Sequence, residues 1–158
     1  MTITVLGAGA WGTAMACHLA RCGHRVTLTA RRLEHALELA EHGENRAYLP
    51  GCRLPESLQI GCEVAPAVME AEVVLLAAPV EGLRQWARAL GEARAGAWQL
   101  RMVVALCKGL ERESLAPPSV VLREWVPGVP VGVLSGPSFA AEVARGVPTA
   151  VTLACDSD

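Results

Sequence analysis

Short apolar runs alternate along this chain with longer stretches in which apolar positions recur at helical spacing. Thr2–Leu6, Val73–Ala77, Met102–Leu106 and Val131–Leu134 carry no charge. Runs of that length and composition suit strands buried on both faces. In Arg25–Ala30, Val26 and Leu28 alternate with Thr27 and Thr29, which predicts a strand with one more polar face. Gln59–Cys62 reads as a short strand and Thr149–Ala154 as the last one. Between them lie predicted helices: Ala10–Arg21, with Trp11, Ala14, Met15 and Leu19 near one stripe, and Arg32–Glu41, carrying Leu33, Leu37 and Ala40. Ala65–Glu70, Glu81–Leu90, a helix following Pro117-Pro118 and ending over Val120–Trp125, and Ser138–Ala144 with Ser138 as its cap complete the set. Asn45–Leu58 is a loop punctuated by Pro50, Gly51 and Pro55. Strands alternating with helices predict an α/β fold, a doubly wound, mainly parallel sheet with helices on both faces. The expected organisation is one domain over 1–158, with no second domain and the chain stopping just after the last strand.

The first strand feeds directly into Gly7-Ala8-Gly9-Ala10-Trp11-Gly12 and then into a helix. Strand, Gly-x-Gly-x-x-Gly and helix in that order suit a dinucleotide pyrophosphate. Gly7 permits the tight turn, Gly9 lets main-chain N–H groups approach the phosphates, and Gly12 lets the helix pack close to the sheet. This makes the expected fold Rossmann-type.

The second strand decides between cofactors. An NAD site places Asp or Glu at its end, to hold the ribose 2′-hydroxyl; an NADP site places basic groups there, to hold the 2′-phosphate. This strand ends Ala30-Arg31-Arg32, and the nearest acid, Glu34, is already inside the helix. Guanidinium groups bind phosphate in bidentate fashion, and a helix start is a poor place for two cations that only face solvent. NADP is therefore preferred, with NAD as the alternative.

Ala78-Pro79, Lys108-Gly109 and Gly136-Pro137 end three further strands. Ligands of doubly wound sheets bind beyond the carboxyl ends of the strands, so these ends and Gly7 are expected to line one crevice. Lys108 would act there as a fixed cation, and Gly136-Pro137-Ser138 as a second anion or hydroxyl site. A nucleophilic Ser138 is disfavoured, because Gly-x-Ser-x-Gly lacks its last glycine and no histidine follows His42.

Composition narrows the classes. With 52% hydrophobic and 19% charged residues in 158, the chain can bury a core and is not disordered. A net charge of −2 gives no reason to expect a nucleic-acid partner. No apolar run is long enough for a membrane span. The six cysteines and four histidines show no metal-ligand spacing, so no metal is expected. Reduced, mostly buried thiols and the lack of a signal peptide point to the cytoplasm.

Four segments carry a resemblance. Gly7-Ala8-Gly9-Ala10-Trp11-Gly12-Thr13-Ala14, Asn45 through Tyr48-Leu49-Pro50-Gly51 and Leu54-Pro55, Cys107-Lys108-Gly109-Leu110-Glu111, and Leu134 to Ala144 continuing through Gly146-Val147-Pro148-Thr149-Ala150 resemble the N-terminal half of bacterial-type NAD(P)-dependent glycerol-3-phosphate dehydrogenases. The family's usual serines are Ala10 and Cys107 here. The resemblance implies reversible interconversion of dihydroxyacetone phosphate and sn-glycerol 3-phosphate, which supplies phospholipid backbones. It implies cofactor contacts from Ala10, Trp11, Arg31, Arg32, Tyr48, Lys108 and Ala140, beside the glycine turn and Pro79. It implies substrate contacts from Lys108, Gly136 and Ser138. The catalytic lysine is expected in a helical C-terminal domain that this chain does not contain. The complete enzyme is open to forming a homodimer, and the isolated chain is expected to bind NADP(H) weakly with little turnover. A non-catalytic NADP-binding module or redox sensor, and a related hydroxy-acid dehydrogenase domain, stay open as alternatives.

Overall fold

The computed structural model describes residues 1–155; the end of the chain, 156–158, lies outside the described residues. Seven strands form one sheet in the order β3-β2-β1-β4-β5-β6-β7. They are β1 (Thr2–Leu6), β2 (Arg25–Thr29), β3 (Gln59–Gly61), β4 (Val73–Leu76), β5 (Met102–Ala105), β6 (Val131–Ser135) and β7 (Thr152–Cys155). The first six are parallel, and β7 pairs antiparallel with β6. The expected mainly parallel, doubly wound sheet is what forms. Its strand order reverses between β1 and β4.

Helices cover both faces: α1 (Ala10–Arg21), α2 (Leu33–His42), α3 (Val64–Met69), α4 (Leu83–Ala93), α5 (Pro118–Trp125) and α6 (Ala140–Ala144). Two apolar clusters result, one on each side of the sheet. The first joins Val5, Ala14, Cys17, Val26, Leu28 and Val104; the second joins Leu6, Val74, Leu76, Leu83, Leu90, Val103 and Leu122. Adjacent residues of β1 thus enter opposite clusters, as the pleat requires. Among the described residues, no helix is long and apolar enough to cross a membrane.

Two helices differ from what their sequence predicts. The helix after β2 buries His35, Ala36 and Leu39, while Leu33 and Leu37 face solvent. Its inward stripe therefore includes a histidine with a buried partner, a signal that apolar spacing alone misses. The last helix begins at Ala140 with Phe139 as its N-cap residue and no side-chain cap. Ser138 does not cap it; its Oγ donates to the Gly136 carbonyl at 3.4 Å.

Candidate functional site

The turn after β1 is fixed by contacts that only glycine tolerates. Gly7 has φ +110°, and a Cβ there would lie 2.6 Å from the Ala77 carbonyl oxygen. That approach locks the end of β1 against the segment after β4, where the strand order reverses. A Cβ on Gly12 would lie 1.9 Å from the Gly7 carbonyl oxygen, so α1 reaches the sheet only because Gly12 has none. Gly9 differs: a Cβ there would meet no atom within 4 Å. No protein packing requires glycine at 9. The open space above it, at the N-terminal end of a 12-residue helix with no acid in its first turn, is what an approaching anion needs.

A cavity of about 500 Å³ opens beside this turn. Gly7 and Gly9 bound it from β1, Arg31 and Arg32 from the end of β2, and Ala78 and Pro79 from the end of β4. His35, Tyr48 and Trp86 bring aromatic rings, and the lining contains no carboxylate. Arg31 and Arg32 are both exposed, and Arg32 is the N-cap residue of α2. Tyr48, half exposed, rests its ring 5.3 Å from that of His35.

The loop holding Tyr48 is tied to the glycine turn by Asn45, which is 1% exposed. Its amide nitrogen donates to the Ala8 carbonyl at 3.0 Å and to the Thr13 hydroxyl at 2.7 Å. Its amide oxygen accepts from the Tyr48 main-chain N–H at 3.2 Å and faces His35 Nε2 at 3.3 Å. An amide oxygen only accepts, so that nitrogen carries the proton. All four hydrogen-bonding positions of the buried amide are thereby used. Asn45 was missed as a site residue because a polar residue in a Pro- and Gly-rich loop reads as a solvated turn former. Trp86 and Gly82 were missed because their helix gave only a packing signal.

Not every strand end enters this cavity. Lys108 is exposed after β5, and Gly136 and Ser138 follow β6. These ends share the carboxyl edge of the sheet but do not line the cavity. The expected single crevice is therefore a cavity at β2, β1 and β4, with the β5 and β6 ends beyond it. Ala10, Trp11 and Ala140 are half-buried and do not line it either. Gly136 also has a packing reason to be glycine: a Cβ would lie 2.7 Å from the Ala150 carbonyl oxygen.

The Lys108 loop is anchored through Glu111. Arg84 of α4 grips that carboxylate with Nε at 2.6 Å and Nη2 at 2.7 Å, and the Ser114 hydroxyl donates to it at 2.5 Å. The guanidinium first, and then the hydroxyl, hold the Glu111 carboxyl at about 2, below the usual carboxylate range. Burial pushes the neighbouring Cys107 thiol up to about 11. Among the described residues, no three His, Cys, Asp or Glu side chains come together as a metal site.

A parallel sheet with a glycine turn and an anion-ready helix at its switch point defines a dinucleotide-binding domain of the Rossmann type. The family description "NAD-dependent glycerol-3-phosphate dehydrogenase N-terminus" matches residues 2–158, and the chain belongs to that family. It is 44% identical over 158 residues to a glycerol-3-phosphate dehydrogenase (NAD(P)+) of Ruegeria sp. (strain TM1040), covering 100% of this chain and 48% of that protein. A protein of the same name from Nitrosomonas eutropha is 45% identical over 159 residues, with 100% and 47% covered. The crystal structure of glycerol-3-phosphate dehydrogenase from Coxiella burnetii superimposes with a TM-score of 0.90 at 34% identity, over 98% of this chain and 46% of that one. The chain thus spans about half the length of the curated relatives it matches.

Proposed function

We propose that this chain forms the cofactor half of an NADPH-preferring glycerol-3-phosphate dehydrogenase, which reduces dihydroxyacetone phosphate reversibly to sn-glycerol 3-phosphate for phospholipid synthesis in the cytoplasm. The observation that carries the cofactor reading is one cavity that joins the open Gly9 turn to Arg31 and Arg32 and has no carboxylate in its lining. Gly9 and Ala10 offer main-chain N–H groups to the pyrophosphate at the start of α1, on the turn that Gly7 and Gly12 shape, and Trp11 meets the NADP end of the site. Arg31 and Arg32 hold the 2′-phosphate, and Tyr48 and Pro79 close the sides. The substrate reading rests on family membership.

When bound, the nicotinamide supplies hydride to the substrate carbonyl. The chain's own part is placement. Lys108 and Ala140 meet the nicotinamide end, and Lys108, Gly136 and Ser138 hold the substrate at the β5 and β6 ends. Glu111 and Arg84 fix the loop from which Lys108 projects. The proton donor and further phosphate ligands belong to a helical domain outside these residues, which the complete enzyme brings to the same edge.

Fluorescence titration of the purified chain with NADPH and NADH tests this reading. Tighter binding of NADPH, with little reduction of dihydroxyacetone phosphate, is the expected result. Equal affinities would remove the NADPH preference. Robust turnover by the chain alone would remove the division of labour between two domains.

A further inference from the structure

Arg31 has one side-chain partner among the described residues. Its Nη2 donates to Oε1 of Gln85, the third residue of α4, at 3.0 Å. A guanidinium has no acceptor atom, so it is the amide oxygen of Gln85 that faces it. This contact ties the end of β2 to α4, whose Trp86 lines the cavity alongside Arg31.

The chemistry of the partner matters. The residue before Gln85 is Arg84, which is paired with the carboxylates of Glu111 and Glu124. Arg88, one turn further, is paired with Glu92. The arginine that borders the cavity is instead met by a neutral amide. Neither Arg31 nor Arg32 makes a salt bridge among the described residues. An amide oxygen orients a guanidinium without neutralising it, and it leaves four N–H donors for another acceptor. A carboxylate in the same place would neutralise Arg31 and repel an incoming phosphate.

We propose that Gln85 determines cofactor specificity: it holds Arg31 at the cavity as an uncompensated cation, positioned for the 2′-phosphate of NADP. Gln85 acts through Arg31 and is a positioning residue. This rests on the reading of Arg31 as a 2′-phosphate ligand given above. The discriminating change is Gln85→Glu, which keeps size and shape and alters only charge. Gln85 is exposed, so neither Gln85→Glu nor Gln85→Ala introduces a buried defect.

The experiment is titration of the purified chain and of Q85E, Q85A and R31A with NADPH and with NADH, read by fluorescence, together with melting temperatures. Q85E is expected to weaken NADPH binding about tenfold, the scale of a charge-assisted hydrogen bond, and to leave NADH within about twofold. Q85A, which loses orientation but gains no charge, is expected to fall between Q85E and the unsubstituted chain in its NADPH:NADH ratio. If the unsubstituted chain prefers NADPH, R31A loses that preference and both Gln85 variants retain it, the role of Gln85 is overturned and the reading of Arg31 stands. Equal losses for both cofactors would also overturn it. If the unsubstituted chain or R31A shows no sign that the 2′-phosphate matters, the reading of Arg31 fails and the inference falls with it.

Discussion

Asn45 donates its side-chain amide to the main-chain carbonyl of Ala8 at 3.0 Å. The glycine turn is therefore held from outside as well as by its own backbone. The same amide reaches Thr13 in α1 and His35 in α2. One buried side chain thus joins the turn, the helix that follows it and the helix that follows β2. Each of those elements contributes to the proposed cofactor site.

Removing Asn45 should loosen the site and the fold together. Asn45→Ala leaves the Ala8 carbonyl, the Thr13 hydroxyl and the His35 N–H without their partner in a buried place. Each orphaned group costs ~1–3 kcal/mol when water cannot reach it. With partial relaxation, a loss of about 3 kcal/mol is expected. Asn45→Asp should be no milder, because it sets a buried carboxylate against the Ala8 carbonyl oxygen, which can only accept. Urea unfolding of both variants measures this; a change within experimental error would mean the network contributes no net stability.

The glycines at 9 and 12 should respond oppositely to the same change. Gly9→Ala meets no protein atom within 4 Å and has φ −75°, so only its N-cap preference is lost, about 1 kcal/mol. Its methyl group occupies the space proposed for the pyrophosphate, and NADPH affinity should drop about tenfold or more. Gly12→Ala forces a Cβ to 1.9 Å from a main-chain oxygen. Overpacking against backbone should cost about 3 kcal/mol or more. Melting temperatures and NADPH titrations of the two variants separate the effects. A Gly9→Ala chain that binds NADPH normally would remove the glycine turn from the site.

Much of this was legible because strong local signals and global packing agree. The uncharged runs at Val73 and Met102 are central strands, and Gly7 to Gly12 turn where the motif places them. Arg31 and Arg32 reach the cavity because β2 lies beside β1, a neighbour relation that the alternation of strands and helices already implied. What was not legible depends on residues far apart in sequence. The partnership of Asn45 with Ala8 crosses 37 positions and that of Arg31 with Gln85 crosses 54. The antiparallel pairing of β7 was hidden as well, since an apolar run carries no mark of its direction. The inward face of α2 was misjudged because a buried histidine with a partner looks polar to any periodicity count.

Thiol reactivity should separate the cysteines sharply. Burial first, and then the neighbouring Cys52, push Cys17 up to about 12, and burial pushes Cys107 up to about 11. At pH 8 both remain protonated, and the thiolate is the nucleophile. Cys22 is exposed. Brief alkylation of the native chain, followed by peptide mass spectrometry, should modify Cys22 and spare Cys17 and Cys107. Modification of all three at similar rates would mean that the core around α1 and β5 opens readily.

Acid should release the anchor of the Lys108 loop. Arg84, and then Ser114, depress the Glu111 carboxyl from 4.5 to about 2. A carboxyl lowered in the folded state contributes stability that is complete above its unfolded value. That contribution is lost as pH falls through the folded value. The window is therefore about pH 4.5 down to pH 2. Glu111→Gln keeps the shape of the protonated acid and removes the titration. The stability gap between the unsubstituted chain and Glu111→Gln should be constant near neutrality and should narrow as pH falls through that window. Denaturant unfolding at pH 7, 4 and 3 measures the gap. A gap that stays constant to pH 3 would show that Arg84 holds Glu111 no more firmly in the folded chain than in the unfolded one. In the dehydrogenase proposed above, the same substitution would weaken the anchor of the loop without touching Lys108. It should raise the KM for the proposed substrate, dihydroxyacetone phosphate, more than it weakens NADPH binding, since Lys108 is proposed to meet both while the rest of the cofactor site lies at the β1, β2 and β4 cavity.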